Sequence, residues 1–147
     1  MAETVAELMT KEEVLARVPQ QEPFRFIDEI VELSDDHIVG RYRFRDDEFF
    51  YRGHFPGDPI VPGVLLLEGL AQTLAYYLLR RWPNARVLLT GFDRCRLRRP
   101  VRPGERIRYE VEVERLLLNV ATARGVVGVA GQTAATATVK GWVGRDE

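Results

Sequence analysis

The sequence is poor in cysteine, in histidine and in long apolar runs. Cys95 is the single cysteine among 147 residues, which excludes an internal disulfide framework. No apolar run, that of residues 63–67 included, approaches the ~20 residues that a membrane-spanning helix needs. Residues 1–7 contain no basic segment of the kind that opens a signal peptide, so we expect none. These absences predict a cytoplasmic, reducing environment and no membrane association.

The length and composition predict one domain over residues 1–147. A chain of this length buries enough of its surface to fold without disulfide bonds or a structural metal. Hydrophobic residues make up 46% and charged residues 29%, as in ordinary globular proteins. We therefore expect a hydrophobic core and no metal site.

The net charge of −1 conceals a strongly basic segment between Arg80 and Arg108. It contains ten arginines against Asp93 and Glu105, which leaves a charge of +8. The segment is either a solvated face or a docking surface for an acidic partner or phosphate groups, both of which pair with arginine. Nucleic acid fits less well, because the chain is slightly acidic overall and exposed aromatic residues do not alternate with the basic ones.

Hydrophobic periodicity predicts an α+β fold in which one long central helix is wrapped by a curved antiparallel β-sheet. The helix is apolar on nearly all sides, as buried helices are. Because such a sheet has exposed edges, pairing with a second copy is expected, and a homodimer is the default. The predicted helices cover residues 11–17 and 64–82, and the predicted strands cover residues 24–33, 37–44, 87–92, 95–97, 107–113, 120–129 and 133–143.

His54 lies in a loop that three prolines and three glycines hold in a restricted shape, between residues 53 and 63. Histidine titrates near neutral pH, which suits it to proton transfer. A lone loop histidine is more often a surface or hydrogen-bonding residue, and that interpretation stays open. The stiffness of the loop favours a catalytic role, because a catalytic group must be held in place.

Glu68 and Gln72 are spaced i and i+4, so they share one face of the predicted central helix. Burial raises the pKa of a carboxyl group and suits it to general acid or base catalysis. The alternative is that Glu68 pairs with an arginine and only specifies packing. Gly63 lies in the first turn of the helix, where free N–H groups form a plausible oxyanion site. It is alternatively no more than a helix start.

These residues resemble the β-hydroxyacyl-acyl carrier protein dehydratase family of the FabZ type, which has the hot-dog fold. The resemblance runs along nearly the whole chain. Glutamate rather than aspartate at position 68 favours the FabZ type over the FabA type, which also isomerises the double bond. The matching blocks are residues 15–19 and 23–28, residues 48–50 with the His54 motif 53–57, residues 62–65 with Glu68 and residues 71–72, and residues 91–93, 98–101 and 103–104.

The resemblance implies dehydration of a 3-hydroxyacyl-acyl carrier protein to its trans-2-enoyl form, without a cofactor. His54 would abstract the C2 proton and Glu68 of the other subunit would protonate the departing C3 hydroxyl. The Gly63 N–H would bind the thioester carbonyl, and Gln72 would orient Glu68. Phe55, Ile60, Phe92 and Leu97 are the expected walls of the acyl tunnel. The carrier protein would dock on Arg94, Arg96, Arg98, Arg99 and Arg102.

The chain departs from the family pattern at Gln20 and Gln21, where a histidine and an arginine usually follow the proline. Neither position is the catalytic histidine, so the dehydratase interpretation stands. Housekeeping fatty acid synthesis and a specialised route, such as polyketide-like or modified-lipid synthesis, both remain open. The acyl chain length and a trimer of dimers are likewise open.

Two other functions compete with the dehydratase. A hot-dog thioesterase would hydrolyse the same class of thioester, but its carboxylate usually activates water without a loop histidine. A non-catalytic acyl-binding subunit that pairs with an active homologue would more often have lost His54 or Glu68. The presence of both residues disfavours each alternative.

Overall fold

One long helix packs against a six-stranded antiparallel sheet in the computed structural model, which describes Glu13 and residues 16–145. The sheet order is β1-β2-β4-β5-β6-β3. Of the predicted helix over residues 11–17, Glu13, Ala16 and Arg17 are helical and the rest lies outside the described residues. The elements are β1 (Glu29–Leu33), β2 (His37–Arg43), the 3-10 helix η1 (Phe49–Arg52), α1 (Gly63–Arg81), β3 (Arg86–Leu97), β4 (Arg106–Leu117), β5 (Val120–Val129) and β6 (Gln132–Gly144).

The central helix α1 begins directly after Pro62 and ends directly before Trp82. Twelve of its 19 residues are buried, which confirms the prediction of a buried helix. Small residues on the facing strands let it lie close to the sheet: a Cβ added to Gly125 of β5 would lie 2.8 Å from Leu70 Cδ1. Within the described part of the chain, no helix is long and apolar enough to cross a membrane.

The predicted strand over residues 24–33 begins only at Glu29. The reason is that the backbone of residues 24–26 bonds to a side chain of α1 instead of to a strand. The Phe26 N–H donates to Gln72 Oε1 at 2.8 Å, and Gln72 Nε2 donates to the Phe24 carbonyl at 3.0 Å. This segment therefore crosses the helix before the chain enters the sheet.

The two predicted strands at residues 87–92 and 95–97 are one strand, β3, with irregularities at two places. One irregularity lies between Leu89 and Gly91, and the other lies between Asp93 and Arg96, where Arg94 has a φ of 53°. The sequence pattern breaks at a bulge rather than at a turn. The strand forms one edge of the sheet and is exposed along most of its length.

The helix and the sheet approach most closely where Gly69 meets Tyr109. A Cβ added to Gly69 would lie 2.2 Å from both Cζ and the hydroxyl oxygen of Tyr109, a fully buried ring on β4. A buried ring cannot move aside as the end of a flexible side chain can. Glycine at this position is therefore required by packing.

We expect Gly69→Ala to lower the free energy of unfolding by about 1–3 kcal/mol, because it overpacks this contact. The loss should appear even though alanine favours an exposed helix over glycine by about 1 kcal/mol. Urea unfolding measures the change. Gly53→Ala is the control, because an added Cβ there meets nothing within 4 Å and the backbone φ is −108°. Equal stability of the two variants would contradict the packing argument.

Candidate active site

The loop between η1 and α1 is closed on itself around His54. The Ile60 N–H donates to the His54 carbonyl at 3.0 Å, and the His54 N–H donates to the Tyr51 carbonyl at 3.3 Å. Inside the loop, the backbones of Phe55 and Asp58 exchange two hydrogen bonds, at 3.2 and 2.9 Å. The peptide bond between His54 and Phe55 is cis. The backbone hydrogen bonds of the loop hold the segment that carries the His54 side chain.

The His54 ring has a defined tautomer. Its Nδ1 lies 2.9 Å from the Ile60 carbonyl oxygen. Because a carbonyl oxygen only accepts hydrogen bonds, Nδ1 carries the proton in this contact and Nε2 keeps its lone pair in the neutral ring. The Phe55 ring stacks on the imidazole with centroids 4.1 Å apart. The His54 ring is thus oriented so that Nε2 is free to act as a base.

A cavity of about 240 Å³ lies beside His54. It brings together six of the predicted site residues, namely His54, Ile60, Gly63, Leu97, Arg98 and Arg99. Gly63 is the first residue of α1, and a Cβ there would lie 2.4 Å from Leu97 Cδ1. The absence of a side chain therefore lets Leu97 pack against the first helical turn, beside its free N–H groups.

Glu68 projects from α1 into a different cavity of about 100 Å³. Burial raises the pKa of its carboxyl group, because an apolar environment disfavours the charged form. The Gln72 Nε2 group opposes this shift by donating to Glu68 Oε2 at 3.0 Å, which lowers the pKa. The carboxyl group therefore holds a proton at a higher pH than an exposed glutamate does.

Gln72 connects Glu68 to the backbone that crosses the helix. It is completely buried, its Oε1 accepts from the Phe26 N–H, and its Nε2 donates both to the Phe24 carbonyl and to Glu68. The orientation of the amide is set by the Phe26 bond, since a backbone N–H needs an acceptor. Nε2 must then point toward the carboxylate.

Within one chain, His54 and Glu68 line separate cavities, and no hydrogen bond joins them among the described residues. Of the remaining predicted tunnel residues, Phe55 is 48% exposed and Phe92 packs on the core opposite Val139. Neither of them lines the two cavities. The structure therefore does not assemble all the predicted site residues in a single chain.

The Glu68 cavity contains residues that the sequence did not predict as site residues. Gln20 and Leu89 both line it, although they lie far from Glu68 in the sequence. The sequence held one signal for Gln20, namely the glutamine in place of the usual histidine. Nothing in the local pattern around Leu89 distinguishes it from the other apolar residues of β3.

The predicted docking arginines differ in how they are paired. Arg99 forms an ion pair with Glu105, and Arg102 forms one with Asp58, both at 3.0 Å. Arg96 and Arg98 form no ion pair with any residue that the structure describes, and both are exposed. Their charges are therefore available to a partner.

Among Glu13 and residues 16–145, no group of three or more histidine, cysteine, aspartate or glutamate side chains is placed to hold a metal ion. The candidate site residues supply an imidazole held through Nδ1, a desolvated carboxyl group, an amide and a helix N-terminus.

Known proteins share both the sequence and the fold. Residues 18–138 match the family model of the FabA-like domain. The 3-hydroxyacyl-acyl-carrier-protein dehydratase FabZ of Pseudothermotoga lettingae is 37% identical over 139 residues, which cover 95% of this chain and 99% of that protein. The protein of the same name from Chloroflexus aggregans is 39% identical over 133 residues, which cover 88% of this chain and 92% of that protein.

A solved structure agrees at the level of the fold. The dehydratase heterocomplex ApeI:P from Xenorhabdus doucetiae superposes with a TM-score of 0.76 over 91% of each chain, at 15% identity. The match confirms the prediction of one helix against an antiparallel sheet. Together with the sequence matches, it shows that the chain belongs to the FabA-like family, among the FabZ-type dehydratases with the hot-dog fold.

Proposed function

We propose that this chain removes water from 3-hydroxyacyl thioesters of acyl carrier protein and forms the trans-2-enoyl thioesters, in fatty acid or related acyl-chain synthesis. The observation that carries the proposal is the fixed tautomer of His54, whose free Nε2 is available as a base beside the N-terminus of α1. The name shared by its relatives describes the same reaction.

The reaction needs one base and one acid. His54 Nε2 takes the C2 proton of the substrate, and the electron pair of that C–H bond forms the C2–C3 double bond. The C3–O bond breaks as the Glu68 carboxyl group gives its proton to the leaving oxygen, which departs as water. The raised pKa of Glu68 suits it to this role, because the acid must hold a proton before the reaction.

The negative charge that develops on the thioester oxygen needs a hydrogen-bond donor. The N–H of Gly63 is suitably placed, because it lies at the start of α1 and lines the cavity that contains His54. Donors held in place before the reaction stabilise such an oxyanion at little cost. Ile60 and Leu97 line the same cavity and Phe55 stacks on His54, which supports their assignment to the acyl tunnel.

The active site is formed between two copies of the chain, with His54 from one and Glu68 from the other. Two features support a dimer through β3. This strand is an exposed edge of the sheet, and it carries exposed leucines at positions 88, 89 and 97. Uncovered apolar edges invite pairing with another strand.

The positions of the two cavities along β3 also support this arrangement. Leu97, at one end of the strand, lines the His54 cavity, whereas Leu89, near the other end, lines the Glu68 cavity. Antiparallel pairing about a two-fold axis brings the Leu97 end of one copy opposite the Leu89 end of its partner. The His54 cavity of one subunit then faces the Glu68 cavity of the other.

The carrier protein docks on the exposed arginines near the His54 cavity. Arg96 and Arg98 contribute most of the charge that attracts it. Their charges are not neutralised by described carboxylates, whereas Arg99 and Arg102 are paired within the chain. Arg94 interacts with the adjacent Asp93. A cytoplasmic location, a trimer of dimers and a tunnel role for Phe92 remain predictions.

The activity is tested by incubating the purified protein with the 3-hydroxybutyryl thioester of acyl carrier protein and following the enoyl absorbance. We expect turnover, and we expect His54→Ala and Glu68→Gln each to lower kcat by about a hundredfold or more, because each removes a proton-transfer group. Release of free thiol without enoyl formation would indicate a thioesterase. Binding without turnover would indicate an acyl-binding subunit.

The same two variants test the shared site. A dimer purified from differently tagged His54→Ala and Glu68→Gln chains has one site with both groups intact, if each site draws on two subunits. Its activity should be about half that of wild type, because one of the two sites is complete. Each homodimer of a single variant is the control. An inactive mixed dimer would place both groups of a site in one chain.

Docking is tested by the double variant Arg96→Ser/Arg98→Ser. We expect KM for the carrier-protein substrate to rise several-fold and to lose much of its dependence on salt, because surface charges act mainly on encounter and are screened. The KM for a short pantetheine thioester should not change. Arg124→Ser is the matched control, since that arginine pairs with Glu112 and Glu114 on the sheet. An equal rise of KM for both substrates would contradict docking at these residues.

The raised pKa of Glu68 predicts how stability depends on pH. Between the unfolded and the folded pKa of this group, the folded state binds the extra proton, so stability falls as the pH rises through that range. Glu68→Gln removes this loss and should make the protein more stable than wild type at pH 7, but not near pH 4. Urea unfolding at several pH values between 4 and 7 measures the difference in stability between the variant and wild type. Glu114→Gln, at an exposed position, is the control.

A further inference from the structure

The cavity beside Glu68 is apolar except at three residues. Ala71, Leu74 and Val139 are among the groups that form its walls, and the polar ones are Gln20, Glu68 and Lys140. Lys140 is bound to Asp93, with Nζ 2.8 Å from the carboxylate oxygen. This leaves the Gln20 amide and the Glu68 carboxyl group as the polar groups available inside the cavity.

The side-chain oxygen of Gln20 is buried and has no hydrogen-bond partner among the described residues. An acceptor left in this state costs about 1–3 kcal/mol, so buried polar atoms are nearly always paired. The neighbouring Gln21 differs, because its Nε2 donates to the Val18 carbonyl at 3.2 Å within its own turn. A donor that enters the cavity from outside the chain would satisfy the Gln20 oxygen.

We propose that Gln20 binds the C3 hydroxyl group of the substrate, with Gln20 Oε1 accepting the hydroxyl proton. This inference rests on the proposed dehydratase function. A hydroxyl group donates one hydrogen bond and accepts others, so donation to Gln20 leaves its lone pairs free to receive the proton of Glu68. Both protein groups line the same cavity, which lets them contact one oxygen atom together.

The contact is useful throughout the elimination. Before the elimination, the hydrogen bond to Gln20 fixes the rotation about the C3–O bond. It thereby directs a lone pair of the hydroxyl oxygen at Glu68. As the bond breaks, the leaving oxygen keeps its own hydrogen, gains the Glu68 proton and becomes water, still held at Gln20 Oε1. A neutral amide accepts this bond at any pH, whereas a histidine in the same place loses its acceptor on protonation.

The test compares two ligands in two variants. On a His54→Ala background, which prevents turnover, binding of the 3-hydroxybutyryl and the butyryl thioesters of acyl carrier protein is measured with and without Gln20→Met. Methionine has a similar size and offers no comparable acceptor. We expect about tenfold weaker binding of the 3-hydroxybutyryl ligand, as for loss of one neutral hydrogen bond, and unchanged binding of the butyryl ligand.

Two further variants control for folding and chemistry. Gln21→Met should leave both affinities unchanged, because that amide bonds within its own turn. Gln20→His, neutral at pH 8, should restore much of the preference for the hydroxylated ligand. In the turnover assay with His54 present, Gln20→Met should act more on KM than on kcat, because the bond exists in the ground state as well.

Equal loss of affinity for both ligands, or no loss, overturns the role of Gln20. The proposed function fails separately, if the wild-type protein does not dehydrate 3-hydroxyacyl substrates. A wild-type protein that dehydrates, together with a Gln20→Met variant that keeps its preference for the hydroxylated ligand, refutes this inference and leaves the function standing.

Discussion

Three hydrogen bonds of one buried amide organise the region on which the chemistry depends. Gln72 accepts from the Phe26 N–H and donates to the Phe24 carbonyl and to Glu68. Because the amide is fully buried, the loss of any partner would leave a polar atom unsatisfied in the core. The same bonds hold residues 24–26 across α1, close the core above the helix and point an N–H at the carboxylate. One side chain thus links the segment that crosses the helix to the Glu68 carboxyl group.

The proposed acid and base are positioned by different means. His54 is held by a short loop whose backbone closes on itself, so its geometry is local to residues 51–60. Glu68 is held on the helix by its hydrogen bond with Gln72, and it lines a cavity together with residues from distant parts of the chain. In the proposed dimer, the two meet across the paired edges of β3, which would link the assembly of the protein to its activity.

Much of the fold follows from the sequence pattern. The alternation in β4 and the near-continuous apolar character of α1 predicted these elements to within a few residues. Alternation arises because one face of a strand is buried, and a continuous apolar pattern arises because a helix is buried on nearly all sides. The errors have particular causes. Residues 24–27 have the composition of a strand, but Phe26 donates to Gln72 and the Phe24 carbonyl accepts from it. The break in β3 at Arg94 is a bulge. Long-range bonding outweighed local propensity in both places.

The sequence by itself determined which chemical groups are present: an imidazole in a stiff loop, a carboxyl group four residues before an amide on a buried helix, and a glycine at the start of that helix. Residue identity and spacing carry that information, because helix periodicity places positions 68 and 72 on one face. Only the tertiary structure decided that His54 keeps a free Nε2, that Glu68 is desolvated and that Gln20 shares its cavity. The first property depends on how the loop closes on the Ile60 carbonyl, and the other two depend on contacts between residues far apart in the chain. Neither kind of contact is encoded in the residue pattern alone.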